Sequence, residues 1–283
     1  MRAQLTITVN TGKWLIARAI IRLPEVQEAF RDGKIVLKGG TTVSCIAEDL
    51  LGVKLRISGR VTKKGTVGSF EDSSSPHSVI VEKGKWQNID SCFLDTVLAL
   101  GPSDVVIIGA NAIDTEGNAA MMAASPGGGN PGQAIAALTT EGAHIIIAAG
   151  LEKLVPKKIS ELIGQVGRKG CDFSMGAAVG LIPLHGQIIT EIEALETLGN
   201  LNNVMVIGRG GISGAEGSTT VLIEGSEDSL KNVIDEVTRV QEKHLSGDES
   251  SLKECIPGSP GCKSHYACVY AHKSKIKTQY GGR

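Results

Sequence analysis

The 283-residue chain is long enough to bury a sizeable core, and 41% of its residues are hydrophobic. Its formal net charge of −1 gives no overall positive field, so composition does not favour nucleic acid as the main partner. No apolar run approaches the roughly 20 residues that cross a bilayer, and the first residues lack the pattern of a secretory signal. We therefore expect a cytoplasmic protein without a membrane partner.

Glycine is abundant, with 36 residues, whereas aromatic residues make up only 3% of the chain. This balance favours aliphatic packing of helices on a sheet over a β-sandwich. Residues 1–33 predict a helical lead-in, because apolar side chains from Trp14 to Ile21 recur at helical spacing and Pro24 can open a second helix.

Residues 34–175 alternate predicted strands and helices. A strand at 35–37 is followed by a glycine turn and by a helix from about 42 to 51. Further strands are predicted at 54–57, 78–82, 104–108 and 144–148. This order predicts an α/β fold, a Rossmann-like domain with a doubly wound, mostly parallel sheet.

Residues 176–244 have a different pattern. Their β-α-β-β-α order predicts a smaller C-terminal α+β subdomain of ferredoxin-like type that ends in an amphipathic helix at 226–243. Residues 245–283 form a polar tail with three cysteines and a basic end. That end could be solvated or could contact phosphate or an acidic partner, through Lys273, Lys275, Lys277 and Arg283.

The strongest candidate for ligand binding is the turn after the strand at 35–37. It combines two glycines, two hydroxyl side chains, a lysine and a helix start, which together present amide groups to an anion: Lys38, Gly39, Gly40, Thr41 and Thr42. An ordinary tight turn with a threonine helix cap is the alternative. Phosphate or carboxylate would suit the site.

Two later loops are further ligand-binding candidates. The first leaves the buried strand at 104–108, where open α/β sheets usually place ligands, and contains Gly109, Ala110, Asn111 and Asp114. The second could cradle an anion before a helix, or could be a flexible connection, and contains Gly127, Gly128, Gly129 and Asn130. We expect the turns at Gly40 and Gly109 to converge over one edge of the sheet.

Several titratable residues follow predicted strands. Lys153 could reach the face of the sheet that carries these loops, or it could be an ordinary surface lysine. His185, Glu191 and Glu193 are of the types used in acid–base catalysis, but such side chains are more often structural or solvated.

The cysteines near the C-terminus, Cys255, Cys262 and Cys268, are accompanied by His265 and His272. Soft thiolates grouped in this way could hold zinc or an iron–sulfur cluster. The spacing is not that of a standard zinc or ferredoxin motif, so reduced cysteines that pack the tail, or one reactive thiol, are the alternatives.

Residues 30–160 resemble the superfamily of ribose-5-phosphate isomerase, glucosamine-6-phosphate deaminase and coenzyme A transferases. The resemblance lies in three segments: 39–42, 109–114 and 145–153. It implies phosphate binding by the first glycine turn and acid–base chemistry at the second. Ile108, Asn111 and Ala112 stand where the isomerase pattern has acids, which leaves Asp114.

We therefore expect a protein that binds a small phosphorylated or carboxylated metabolite. If it is a sugar-phosphate isomerase-like or transferase-like enzyme, Asp114 is the acid–base candidate, with help from Asn111 or Lys153. A ligand sensor without catalysis is one alternative, and a metal or redox protein that uses the tail cysteines is another. The residues leave the substrate and the formation of a homo-oligomer open.

Overall fold

The computed structural model describes residues 1–68, 73–258, 262 and 265–271. Its first half contains the following helices and strands: β1 (Arg2–Ile7), α1 (Val9–Arg22), α2 (Pro24–Asp32), β2 (Lys34–Lys38), α3 (Thr41–Leu51), β3 (Gly59–Thr62), β4 (Gly65–Gly68), β5 (Ser78–Glu82), β6 (Lys85–Asn88), α4 (Phe93–Leu98), β7 (Val105–Gly109), β8 (Ala112–Ile113) and β9 (Ala119–Ala123).

The second half continues with α5 (Gly129–Gln133), α6 (Ile135–Thr140), β10 (His144–Ala148), α7 (Ile159–Ile163), β11 (Gly180–Leu184), β12 (Gln187–Ile189), α8 (Glu191–Gly199), β13 (Asn203–Gly210), β14 (Ser218–Glu224) and α9 (Glu227–Gln241). Short 3-10 helices lie at Pro126–Gly128, Leu151–Lys153 and Glu249–Leu252.

The main sheet has six strands in the order β12-β10-β7-β2-β5-β6. Strands β12, β10, β7 and β2 run parallel, whereas β5 is antiparallel to β2 and β6 is antiparallel to β5. The predicted α/β class is confirmed. The sheet is mixed because a hairpin supplies its last two strands. A doubly wound parallel sheet is therefore not confirmed.

The central strands are buried on both faces, as their apolar runs predict. Alternate residues point to opposite faces. Leu37 belongs to the core shared with α1, α3 and α8, whereas Val36 belongs to the core shared with α4 and α6. The direction of a side chain at the end of β2 therefore decides which of these two groups of helices it faces.

The N-terminal segment is more than a helical lead-in. Strand β1 pairs with β14 in antiparallel register from Arg2 opposite Glu224 to Ile7 opposite Thr219. A three-stranded sheet in the order β1-β14-β13 results. The predicted α+β subdomain is also less separate than expected, since β12 joins the main sheet and β11 pairs with β9.

Side-chain caps begin several helices. The hydroxyl of Thr8 accepts a hydrogen bond from the amide of Thr11 at the start of α1, and Ser226 caps α9 in the same way through Ser229. Thr190 and Glu193 form a capping box at the start of α8. These caps fix where the helices start relative to the sheet.

The strand predicted at 54–57 is absent. The amide of Leu55 donates to the hydroxyl of Ser44, and the amide of Ile57 donates to that of Ser251. The amide of Arg56 donates to the carbonyl of Pro76, so groups outside the segment satisfy its backbone, and periodicity could not reveal them. In the described part of the chain, no helix has the length and apolarity required to cross a membrane.

Candidate functional site

The carboxyl ends of the parallel strands share one edge of the main sheet. Leu37 of β2 lies opposite Ile107 of β7, and Ala148 of β10 lies opposite both Gly109 of β7 and Ile189 of β12. The turns that contain Gly40 and Gly109 therefore lie at the same edge, as expected. We call it the carboxyl edge.

The turn between β2 and α3 presents an uncapped helix N-terminus. The amide of Gly39 donates to the carbonyl of His77 at 2.7 Å, and a Cβ at Gly39 would collide with that oxygen. No side chain of the described residues caps α3, and a Cβ added at Gly40 would face open space. Thr41 and Thr42 form the first turn of the helix, so the geometry suits the predicted anion contact.

Lys38 does not point toward this helix. It follows Leu37, so it faces the opposite side of the sheet, where its Nζ lies 3.1 Å from the Sδ of Met121. The side chain is buried, and this burial lowers the pKa of the amine to about 8. The predicted contact between Lys38 and a ligand at α3 is therefore not supported.

The loop after β7 is held by its own polar side chains. The Oδ1 of Asn111 accepts a hydrogen bond from the amide of Met122, and Ala110 is buried. Asp114 accepts hydrogen bonds from the amides of Glu116, Asn118 and Ile159. Asn111 and Asp114 thus fasten a turn.

The environment of Asp114 argues against the predicted acid–base role. Burial would raise the pKa of this carboxyl, but hydrogen bonds from Ile159, Asn118 and Glu116 outweigh it and lower the pKa to about 2. A carboxylate with so low a pKa and with its oxygens already bonded is a weak base near neutral pH.

The glycine run at 127–129 is packed rather than open at its centre. A Cβ on Gly128 would lie 2.5 Å from the Cδ1 of Ile182 in β11. The Nδ2 of Asn130 donates to the carbonyl of Asp90 at 3.3 Å. These contacts give Gly128 a packing role, and they do not by themselves indicate a ligand.

A group of buried and half-buried charged side chains lies elsewhere along the carboxyl edge, where α1, α8 and the 3-10 helix after β10 meet. We call it the Glu191 cluster, and it consists of Lys13, Glu152, Lys153 and Glu191. These residues are close in space, because their charges affect one another and Lys153 forms an ion pair with Glu152. Of these four residues, the sequence indicates Lys153 as a site candidate and Glu191 as one of two acids of the type used in acid–base catalysis.

Glu191 is the first residue of α8. Its Oε2 accepts a hydrogen bond from the amide of Leu151 at 2.7 Å. A Cβ at Gly12 or at Gly150 would lie 2.5 or 2.8 Å from its Oε1. A side chain at either position would therefore displace the carboxyl group from its present place.

Glu152 lies directly beside Glu191. A Cβ on Gly150 would lie within 2.8 Å of an oxygen of each carboxyl group. Both oxygens of Glu152 are buried and have no hydrogen-bond partner among the described residues, while Lys153 Nζ lies 3.6 Å from Oε1. Buried carboxylate oxygens without such partners are costly, which makes them candidates for a functional role.

The electrostatics of the cluster favour proton exchange near neutral pH. Burial raises the pKa of Glu191 to about 7, and the charge of Glu152 adds to this rise. Burial also lowers the pKa of Lys13, against the opposing effect of Glu152. Lys13 is only 9% exposed.

The other acid–base candidates have structural or exposed positions. The Oε2 of Glu193 accepts the amide hydrogen of Thr190 at 2.7 Å within the capping box. His185 is exposed in the turn between β11 and β12. The sequence pattern did not identify Lys13 or Glu152 as site residues. The available signals were a lysine among the apolar residues of α1 and an acid just after a buried strand.

The tail cysteines are close in space. Burial raises the pKa of the Cys255 thiol, and the neighbouring Cys262 and Cys268 raise it further. Within the described ranges, no group of three or more His, Cys, Asp or Glu side chains is arranged to hold a metal ion. His272 and the basic residues from Lys273 to Arg283 lie outside the described residues, so the predicted zinc or iron–sulfur site receives no support here.

Two surface hollows lie away from the Glu191 cluster. One, of about 370 Å³, is at the opposite edge of the main sheet beside Gly33, Asp104 and His144. The other, of about 230 Å³, lies between α1, α8 and α9.

No family model, curated protein or solved structure matches the chain.

Proposed function

We propose that the protein is an isomerase-like enzyme that moves a proton on a small phosphorylated or carboxylated metabolite, with Glu191 as the acid–base group. The observation that carries the proposal is the buried pair Glu191 and Glu152 beside Lys13 and Lys153 at the carboxyl edge of the sheet. Ligands of open α/β sheets usually bind at this edge.

The pair suits the removal of a proton from the carbon next to a carbonyl group. Glu191 in its carboxylate form takes the proton, and the electron pair of the broken C–H bond moves to the carbonyl oxygen. The ammonium groups of Lys153 and Lys13 would stabilise the charge on that oxygen. The proton of the adjacent hydroxyl group then moves to the former carbonyl oxygen, and Glu191 returns its proton to the former carbonyl carbon. The hydroxyl-bearing carbon becomes the new carbonyl, so the isomerisation is complete with no atom gained or lost.

Three helices supply a favourable field for an anionic substrate. Helices α3 and α8 begin at the carboxyl edge, and the first turns of α1 reach Glu191 through Gly12. Helix N-termini carry partial positive charge and free amide groups. Among these three helix starts only that of α3 lacks a side-chain cap from the described residues, and a Cβ at Gly40 would meet none of their atoms within 4 Å.

Proton exchange in deuterium oxide tests the proposal. Aldopentose and aldohexose phosphates should lose the proton next to the carbonyl group in the presence of the protein, as measured by proton NMR. Glu191→Gln should slow this exchange by about 100-fold or more. For the wild type, kcat/KM should rise with pH around a midpoint near 7, because the base must be ionised.

Glu196→Gln is the matched control, because Glu196 is an exposed acid on the same helix. It should exchange at the wild-type rate. Exchange that is unaffected by Glu191→Gln would remove Glu191 from the reaction. Binding of sugar phosphates without any exchange by the wild type would instead favour a ligand sensor.

A further inference from the structure

We propose that Arg209 binds the anionic group of the substrate above the Glu191 cluster. This inference rests on the proposed function, since it assigns a residue to the same site. Arg209 lies in β13 opposite Thr219 of β14, just after an irregularity in the pairing between Val206 and Gly208. It is the only lysine or arginine between residues 203 and 224.

The end of the β13–β14 hairpin covers the cluster. A Cβ on Gly217 would lie 3.0 Å from the Cγ2 of Val9 and 3.9 Å from the Cβ of Glu152. Strand β14 also packs against the 3-10 helix that carries Glu152 and Lys153. The hairpin therefore lies beside the residues that carry the carboxyl groups.

The side chain of Arg209 is exposed and makes no hydrogen bond or ion pair with any described residue. It is nevertheless close enough to Glu191 for its charge to oppose the rise in pKa that burial causes there. An arginine without a partner beside a buried acid–base group can bind a ligand without first breaking an ion pair.

The other cations of the site are less suited to this contact. Lys153 lies 3.6 Å from a carboxylate oxygen of Glu152, and Lys13 is buried beneath the carboxyl groups. The planar guanidinium of Arg209 can donate two parallel hydrogen bonds to a phosphate or a carboxylate. We therefore assign the anion contact to Arg209 and the proton transfer to Glu191.

Sulfate is the probe for the anion contact, because its charge is constant across neutral pH. Calorimetric titration of the wild type at about pH 6 should show binding, and Arg209→Gln should weaken it by about tenfold. Arg209→Lys should fall between the two. Arg2→Gln is the matched control, since Arg2 is an exposed arginine of the same sheet, paired with Glu224 at its other end.

The pH dependence gives a second measurement. Glu191 loses its proton as pH rises through about 7 and then repels the anion, so sulfate should bind more weakly at about pH 8 than at about pH 6. The other charges facing Glu191 are Lys13 from α1 and Glu152 from the 3-10 helix, with Lys153 beside Glu152. Glu191→Gln should remove most of this dependence.

Sulfate affinity of Arg209→Gln equal to that of the wild type would overturn the inference, as would an absence of sulfate binding to the wild type at millimolar concentration. Neither result depends on catalysis. Sulfate binding that requires Arg209, together with no proton exchange by the wild type, would retain the anion site and reject the proposed enzyme activity.

Discussion

Glu191 and Asp114 are both acidic side chains near the carboxyl edge of the main sheet, yet their surroundings move their pKa values in opposite directions. Burial beside Glu152 raises the pKa of Glu191 to about 7. Donated amide hydrogens outweigh burial at Asp114 and lower its pKa to about 2. Residue type and position after a strand could not distinguish the two, because the burial of Glu191 and the donation from Ile159 to Asp114 involve other segments of the chain.

Lys38 provides a stability prediction at the residue scale. Burial lowers its pKa in the folded state to about 8 from the ordinary value of 10.5, so the unfolded chain binds the proton more tightly. Stability should therefore rise as pH increases from about 8 to about 10.5. Replacing the charged amine, Lys38→Met, should stabilise the fold at neutral pH by up to about 3 kcal/mol.

Urea unfolding of Lys38→Met and wild type at pH values on either side of this range is the measurement. The difference between them should shrink as pH rises, since the wild-type amine becomes neutral. Lys54→Met, at an exposed position, should change stability little. A loss of stability in Lys38→Met would show instead that the amine makes a favourable contact in the folded protein.

At the scale of the element, the sequence located the central strands and many helices well. Strands β5 and β10 coincide with their predicted ranges, because their apolar runs are long and bounded by turn residues. The predicted strand at 54–57 failed, since its backbone is satisfied by groups outside the segment. Strand β1 was missed because only Ile7 at its end is fully buried and its partner β14 lies more than 200 residues away in sequence.

The capping box of α8 leads to a prediction about the site. Thr190→Ala should cost about 1 kcal/mol of stability, because the amide of Ile192 loses its hydroxyl acceptor at 3.1 Å. Proton exchange should also slow, since the first turn of α8 positions Glu191. Chemical denaturation and the exchange assay measure the two effects.

Ser226→Ala is the matched control for this variant. Ser226 caps α9 through the amide of Ser229 at 3.1 Å, so its loss should cost a similar free energy. Helix α9 carries no member of the Glu191 cluster, and exchange should stay at the wild-type rate. Equal slowing in both variants would mean that general stability, and not the position of Glu191, limits the reaction.

At the scale of the whole molecule, one core joins segments that the sequence divided into separate parts. Helices α1, α3, α8 and α9 contribute to it together with β2 and β14. The described part of the tail also returns to this body, where the hydroxyls of Ser246 and Ser44 lie 2.8 Å apart and the amide of Asp248 donates to the carbonyl of Leu55.

Asp248 makes the attachment of the tail sensitive to acid. Hydrogen bonds from Ser73, Ser75 and Ser250 hold its pKa well below the usual range. The stability that these bonds contribute is present above the unfolded-state pKa near 3.8 and is lost as pH falls toward the folded-state value.

Asp248→Asn should therefore lower the free energy of unfolding by about 1–2 kcal/mol at neutral pH. The difference from the wild type should narrow under more acidic conditions, as thermal unfolding over a pH series would show. Asp235→Asn, an exposed acid of α9 away from these serines, is the control. A constant difference at all pH values would indicate that the charge of Asp248 is not responsible.

The sequence by itself determined the α/β class and the common edge of the glycine turns, because parallel strands joined by helices must end at the same side of their sheet. Tertiary structure alone decided that Lys38 faces away from α3 and that Glu191 and Glu152 are buried together. Those properties depend on which side of β2 packs against α3 and on atoms contributed by α1, the 3-10 helix at Leu151–Lys153 and α8, which lie far apart in sequence and meet only in the folded chain.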